Sequence, residues 1–285
     1  MKRGFSMFLD WENLPNLNNI EVTVRLGGVS FYVENRCHAI DEGICDEVKV
    51  EPKAEFSCDL KGISCDLLMT IFFGERFEKR SIEKKCDVRL SFYDLSSNAR
   101  YTATFPDDHV SGRCLGDHDI QIARRRSKHI ENVLVKNGNS ITYHNFVSSD
   151  IEYSPEKSEL LKGFVKAAVK DDLHREKGAS TLYYDTLFSV FNVSFVKRVT
   201  LVKEDIRVDI DSVSKKTHQR NGQFEDVTRV SLSCPDLCAG IKELQENPDH
   251  EVLRETVERL YNRLIDYAEH ISHVVDTKTS FLLCN

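Results

Sequence analysis

Between Ile20 and Phe105 apolar and polar residues alternate with a period close to two, the spacing at which successive side chains fall on opposite faces of a strand. Glu21-Val22-Thr23-Val24-Arg25-Leu26 alternates, Gly27-Gly28 interrupts the pattern, and Val29, Phe31 and Val33 resume it. A glycine pair between two such runs reads as a hairpin turn, because glycine reaches positive φ without steric cost. Further runs follow at residues 47–50, 66–73, 86–92 and 101–105. Leu67-Leu68-Met69-Thr70-Ile71-Phe72-Phe73 is nearly all apolar, so it reads as a strand covered on both faces. Asp94-Leu95-Ser96-Ser97-Asn98 has turn chemistry. Short strands at this spacing predict an antiparallel sandwich.

The pattern dissolves between Pro106 and Asn139, where Asp107, Asp108, His109, Asp117, His118 and Asp119 make a polar loop. Ser154-Pro155-Glu156 then opens a helix, since Ser caps well and Pro suits the first helical position. Leu160, Leu161, Phe164, Val165, Ala168, Val169 and Leu173 keep helical spacing, so the helix is placed at residues 155–175. From residue 182 to 213 the chain returns to β-branched and aromatic residues, with Lys203-Glu204-Asp205 as a turn. A strand at 227–232 leads to helices at Pro235 and after Asn247-Pro248. In the last helix, read to about Val275, Leu253, Val257, Leu260, Leu264, Tyr267, Ile271 and Val274 alternate spacings of four and three. Such a seam suits either packing on its own domain or docking of a partner helix.

The fold class that follows is α+β. An N-terminal antiparallel β-sandwich over residues 1–150 precedes a mixed strand and helix region over 151–285 that ends in a long helix. Composition narrows the class further. The 285 residues are 40% hydrophobic and 30% charged, with a net charge of −7, which excludes collagen-like and globally disordered chains and a basic field over the whole molecule. No run of 18 apolar residues is present, so no membrane span is expected. Met1-Lys2-Arg3-Gly4-Phe5 meets Asp10, Glu12 and Asn13 too soon for a signal peptide, which points to a cytoplasmic or nuclear protein. Nine cysteines, an odd number, then read as reduced and mostly buried thiols. The sequon Asn192-Val193-Ser194 carries no weight in that compartment.

Candidate chemistry is sparse. There is no phosphate-binding glycine loop, dinucleotide fingerprint, nucleophile elbow or kinase set. His250-Glu251-Val252-Leu253-Arg254 lacks the second His of a zinc protease helix. His129-Ile130-Glu131 with Cys234-Pro235-Asp236-Leu237-Cys238 has the ligand types of a zinc deaminase, but the Pro falls inside the Cys pair and the spacing is three. Those cysteines read as buried thiols at a helix start, and the acidic loop as a solvated one, so no metal and no cofactor is expected. Arg124-Arg125-Arg126-Ser127-Lys128-His129 is a compact basic patch suited to phosphates. A second basic stretch, Lys197-Arg198 to Lys215-Lys216 and Arg220, is interleaved with Glu204, Asp205, Asp209 and Asp211, which weakens it as a nucleic-acid stripe.

Two resemblances bear on function. Phe8-Leu9-Asp10-Trp11-Glu12-Asn13 resembles the first strand of NYN/PIN-type ribonucleases, whose strand-end Asp helps hold a metal; that resemblance implies a metal-dependent nuclease using Asp10. The alternating strands after it depart from that family. Phe8–Leu14, Val22-Thr23-Val24 and Gly27-Gly28-Val29-Ser30-Phe31-Tyr32-Val33, followed by 67–73 and 82–90, resemble a MATH (TRAF-C-like) domain over residues 5–105. The family's closing Trp-Gly is missing, with Tyr143-His144-Asn145-Phe146 nearest to it. This resemblance implies a sandwich that binds peptides along a strand edge. The reading is a non-enzymatic interaction module or assembly subunit. Its contact residues are Val22, Val24 and Phe31 on a sandwich edge and Leu253, Val257, Leu260, Leu264, Tyr267 and Ile271 on the helix, which also offers homo- or hetero-oligomer contacts. A nucleic-acid-binding subunit gripping through Arg124, Arg125 and Arg126 is the other alternative.

Overall fold

The alternating stretches do become strands, and the strands join one sheet. The computed structural model describes residues 18–36, 49–79, 85–106, 115–132, 142–150, 153–172, 183–217 and 224–283. Its elements are β1 (Asn18–Arg36), β2 (Lys49–Ser57), α1 (Cys65–Gly74), β3 (Glu78–Lys79), β4 (Lys85–Asp94), β5 (Ala99–Pro106), β6 (Gln121–Ala123), β7 (Arg125–Asn132) and β8 (Thr142–Asp150). They continue as α2 (Pro155–Asp172), β9 (Phe188–Lys203), β10 (Ile206–Thr217), β11 (Phe224–Ser233), α3 (Pro235–Glu246) and α4 (Glu251–Leu283).

The sheet runs β6-β5-β4-β9-β10-β11-β1-β8-β7, with β2 paired to β1 and β3 to β9. All of these pairings are antiparallel. The strands from after residue 150, β9-β10-β11, lie between two groups from before it, because β4 lies against β9 and β1 against β11. The two ends of the order, β6 and β7, are consecutive in the chain with only Arg124 between them. Two residue steps span ~7 Å at most, so the sheet must curl until its ends meet. This is an α+β fold with a curled antiparallel sheet, not the sandwich expected above. Alternation demands one covered face and one polar face, and a curled sheet meets that demand as well as a sandwich does.

Helices cover the outer face in two places. Val22, Val24 and Leu26 of β1, Val199 and Leu201 of β9, Ile206, Val208 and Ile210 of β10, and Val230 and Leu232 of β11 pack with Leu68, Ile71 and Phe72 of α1, Leu237 of α3 and the buried face of α4. A second core joins Val88, Leu90 and Phe92 of β4, Tyr101, Ala103 and Phe105 of β5, and Phe188, Val190 and Val193 of β9 to Leu161, Phe164, Val165 and Ala168 of α2. Close approach of α3 and α4 depends on Gly240, where a Cβ would stand 2.8 Å from Val257 Cγ2.

Three sequence expectations change here. Residues 67–73 are helical, not a strand. The hydroxyl of Ser64 accepts the Leu67 N–H at 3.2 Å as an N-cap, and Asp66 lies in the first turn. A short apolar run does not by itself distinguish a buried strand from a buried helix. Gly27-Gly28 is no turn either, for β1 passes straight through it. Its pairing with β8 ends at Gly27 opposite Thr142, and its pairing with β2 begins at Gly28 opposite Ser57. The glycines mark where one strand changes partner. The final helix runs past Val275 to Leu283, and its seam is part of a wider buried band. Val257, Tyr261, Leu264, Ile265, Ala268, Ile271 and Val275 are all buried, while Leu253, Leu260, Tyr267 and Val274 pack partly buried on the same core. The turn read at 203–205 is present, with Glu204 at φ 54° between β9 and β10.

Candidate functional site

The alternation that sends apolar side chains outward to the helices sends charged ones inward. On β10, Ile206, Val208 and Ile210 face the outer core, so Arg207, Asp209 and Asp211 face the hollow. The same parity turns Arg198 and Thr200 of β9, Arg89 and Asp87 of β4, Arg229 of β11, and Glu21, Thr23 and Arg25 of β1 inward. Among the described residues the helices pack on the opposite face, yet Asp211 is only 5% and Asp87 only 8% exposed.

Register builds the charges into a ladder. Asp211 stands directly opposite Arg198 on one side and Arg229 on the other. Arg198 donates to both Asp211 oxygens, through Nε at 2.7 Å and a terminal nitrogen at 2.8 Å, a bidentate geometry. Arg89 approaches the same carboxylate at 3.7 Å. One step along, Asp209 accepts from Thr200 Oγ1 at 2.6 Å and from Arg207 Nε at 3.1 Å. In the other direction Val196, Val213 and Val227 form an apolar rung. Beyond it Asp59 accepts from Arg229 Nε at 2.7 Å and pairs with Lys215, which also lies 3.5 Å from Glu225. Asp59 reaches the hollow because Leu60 bridges to Thr228 on the open side of β11 and points outward into the core.

The electrostatics follow from burial and neighbours. Burial works against the Arg198 charge, but the Asp211 hydrogen bonds and the charges of Asp211, Asp209 and Asp87 outweigh it and hold the guanidinium well above its ordinary value. Burial likewise opposes the Asp59 carboxylate, and Lys215 and Arg229 together pull it below the usual carboxylate range. Arg89 goes the other way. Burial lowers it most, the Asp211 charge opposes that, and the like charges of Arg198 and Arg229 push it lower again.

The residues singled out from sequence lie elsewhere. Val22 and Val24 are fully buried on β1, which is paired on both sides in that stretch, so they present no sandwich edge. The backbone N–H of Val22 even approaches Cys238 Sγ of α3 at 3.4 Å. Phe31 sits in β1 opposite Ala54. On α4, Val257, Leu264 and Ile271 are core, and Leu253, Leu260 and Tyr267 pack against it. Arg124 stands 5.9 Å from the Tyr101 ring at the junction of β6 and β7, and Arg125 and Arg126 lie in β7 opposite Asp150 and Ser149. Asp10 falls outside the described residues, as do Asp107, Asp108 and His109. Asp119 instead closes its own turn, accepting the Gly116 N–H at 2.9 Å, and Asp117 pairs with Lys166 of α2. Burial pushes the Cys234 thiol up to about 11 and the Cys238 thiol up as well. His250 accepts the Leu253 N–H on Nδ1 at 3.1 Å and so caps α4.

The ladder left a trace in the sequence. Val88-Arg89-Leu90, Arg198-Val199-Thr200-Leu201 and Ile206-Arg207-Val208-Asp209-Ile210-Asp211 carry charges at positions that a half-buried strand turns away from its core. The mixed signs that seemed to weaken the basic stretch at 197–220 are what allow it to be buried. Cross-strand partners neutralise each other.

No family model matches this chain, and no curated protein matches its sequence. Solved structures do match its fold. The RNA triphosphatase Pct1 of S. pombe is 11% identical, with a TM-score of 0.55 over 95% of this chain and 91% of that one. Pct1 in complex with the Spt5 CTD is 10% identical, with a TM-score of 0.50 over 94% and 92%. At such identities the likeness is one of fold. It overturns the MATH resemblance, which rested on strand patterns that a curled sheet shares with a sandwich. The non-enzymatic adaptor reading falls with it, as do the NYN/PIN nuclease using Asp10 and the subunit gripping nucleic acid through Arg124–Arg126. Over nearly its whole length the chain resembles the fold of that RNA triphosphatase.

Proposed function

We propose that this chain is a triphosphatase-like protein that takes the phosphate-bearing 5′ end of an RNA into the hollow of its curled sheet. The observation that carries the reading is the inward row of Arg89, Arg198, Arg207 and Arg229, set in a fold shared with an RNA triphosphatase. Guanidiniums offer planar, paired donors that match phosphate oxygens, and an enclosed site strengthens each such contact relative to water. Net charge is −7 for the whole chain, so phosphate recognition has to be local, and the hollow is where buried cations concentrate. A peptide partner belongs to the same reading, because one of the matching structures holds Pct1 with the Spt5 CTD. Among the described residues no helix is long and apolar enough to cross a membrane.

The test compares one RNA bearing either a 5′-triphosphate or a 5′-monophosphate, with full-length chain, for affinity and for phosphate release. The triphosphate form should bind about tenfold more tightly or better, ~1.4 kcal/mol, and weaken steeply with salt. Equal affinity for the two ends would sink the reading.

A further inference from the structure

In the middle of the hollow three guanidiniums gather around one carboxylate. Arg198 takes both Asp211 oxygens at 2.7 and 2.8 Å, Arg89 stands at 3.7 Å, and Arg229 lies opposite Asp211 in register. A separation of 3.7 Å is too long for a hydrogen bond, so Arg89 feels Asp211 as a charge only. Arg229 spends its Nε on Asp59 at 2.7 Å. A guanidinium carries five N–H donors, so the forks of Arg89 and Arg229 retain donor capacity for an acceptor in the hollow. Their side chains are 28% and 32% exposed, which leaves a path to them. The crowding of Arg198 and Arg229 against Arg89 is a repulsion that an arriving anion relieves.

The carboxylates of the same face are differently placed. A divalent metal on this face would have to be held by carboxylate oxygens. Asp211 is held by Arg198, Asp209 by Thr200 and Arg207, Asp59 by Arg229 and Lys215, Glu225 lies 3.2 Å from Lys61 and 3.5 Å from Lys215, and Asp87 and Glu21, which also face inward, are each engaged with a partner. Among the described residues no three His, Cys, Asp or Glu side chains converge. Handing these carboxylates to a divalent ion would strand the half-buried arginines they neutralise, and leaving such charges unpaired is destabilising. The donor set on this face fits an anion and does not fit a carboxylate-held metal.

We propose that Arg89, Arg198 and Arg229 grip a polyphosphate directly, with no divalent cation bridging it to the carboxylates of this face. The inference rests on reading the hollow as the triphosphate site, and the experiment separates the two. Inorganic tripolyphosphate is titrated calorimetrically into the full chain in EDTA, then again in excess Mg²⁺. The expected result is binding in EDTA that excess Mg²⁺ fails to tighten. In EDTA, Arg89→Ala should weaken it about tenfold or more and Arg89→Lys less, since Lys keeps the charge but loses the fork. Arg259→Ala, on the exposed face of α4, should leave it unchanged. Should Arg89→Ala fail to fold, the salt dependence of the native chain decides, with a log–log slope of about −2 or steeper expected for several phosphate contacts. Binding seen only with Mg²⁺, or a flat salt dependence, overturns the metal-free grip while leaving the triphosphate reading standing. No binding in either buffer overturns both.

Discussion

The two faces of the curled sheet are made by the same strands and solve opposite problems. Outward, β4 presents Val88, Leu90 and Phe92, which bury against α2. Inward, the residues that alternate with them include Asp87 and Arg89, which sit in the charged ladder. The outer face is stabilised by removing apolar area from water, a non-directional gain that tolerates some change in shape. The inner face is held by bidentate and cross-strand ion pairs, whose gain barely offsets desolvation and depends on each partner being present. Stability therefore resides mostly outside, and recognition chemistry inside. A sheet one residue thick lets the two vary almost independently.

The largest expected effect breaks the outer face. Phe92 is fully buried, with ring centroids of Phe164 at 5.1 Å and Phe188 at 5.9 Å. Phe92→Ala should cost about 4 kcal/mol in denaturant unfolding, from lost transfer energy plus the cavity. A cost under about 1 kcal/mol would show that α2 is not bound to the sheet as described.

Next comes the inner face. Asp211→Ala leaves Arg198, Arg89 and Arg229 without their shared carboxylate, and should cost about 3 kcal/mol. Raising the salt concentration should recover part of that loss for this variant and almost none for Phe92→Ala, because ions screen stranded charges but do not fill cavities. If salt rescues both equally, the division between the faces is wrong.

The smallest effect sharpens the comparison by pH. Asp94 ends β4 on the outer side, where it accepts from Lys157 of α2 at 2.6 Å and from Ser96 and Ser97 N–H groups. Burial opposes its charge, but these bonds hold its carboxyl well below the usual range. A carboxylate depressed in the folded state contributes stability that is present above its unfolded value near pH 4 and is lost as pH falls below it. Asp59 in the hollow shares that sign. Asp94→Asn should lower stability by about 1–2 kcal/mol at pH 7 and by little at pH 2, as read from urea midpoints. An unchanged gap between the two pH values would mean that the Lys157 contact contributes nothing.

Much of the secondary structure could be read directly. The hairpin of β9 and β10, the Pro155 helix, and the helices at Pro235 and after Pro248 were marked by alternation, caps and turn residues, all of them local signals. Residues 67–73 were misread because composition alone outweighed the Ser64 cap. The α4 seam was visible, but what covers it was not, since an apolar helical stripe fits an internal core and a partner equally well. The site was missed for a similar reason. Arg89, Arg198, Asp211 and Arg229 are separated by up to 140 positions along the chain, and only cross-strand register brings them together.

Sequence by itself determined that this is an α+β chain of alternating strands and capped helices, with one face of each strand apolar and the other charged. Those properties depend on side-chain type and on neighbours a few positions away. Tertiary structure decided that the strands form one curled sheet, that the apolar stripe of α4 packs on that sheet, and that charges of mixed sign become an inward row of arginines. Such outcomes depend on which strands pair and in what register. Many pairings satisfy the same local alternation, and only the packing of the whole chain selects among them.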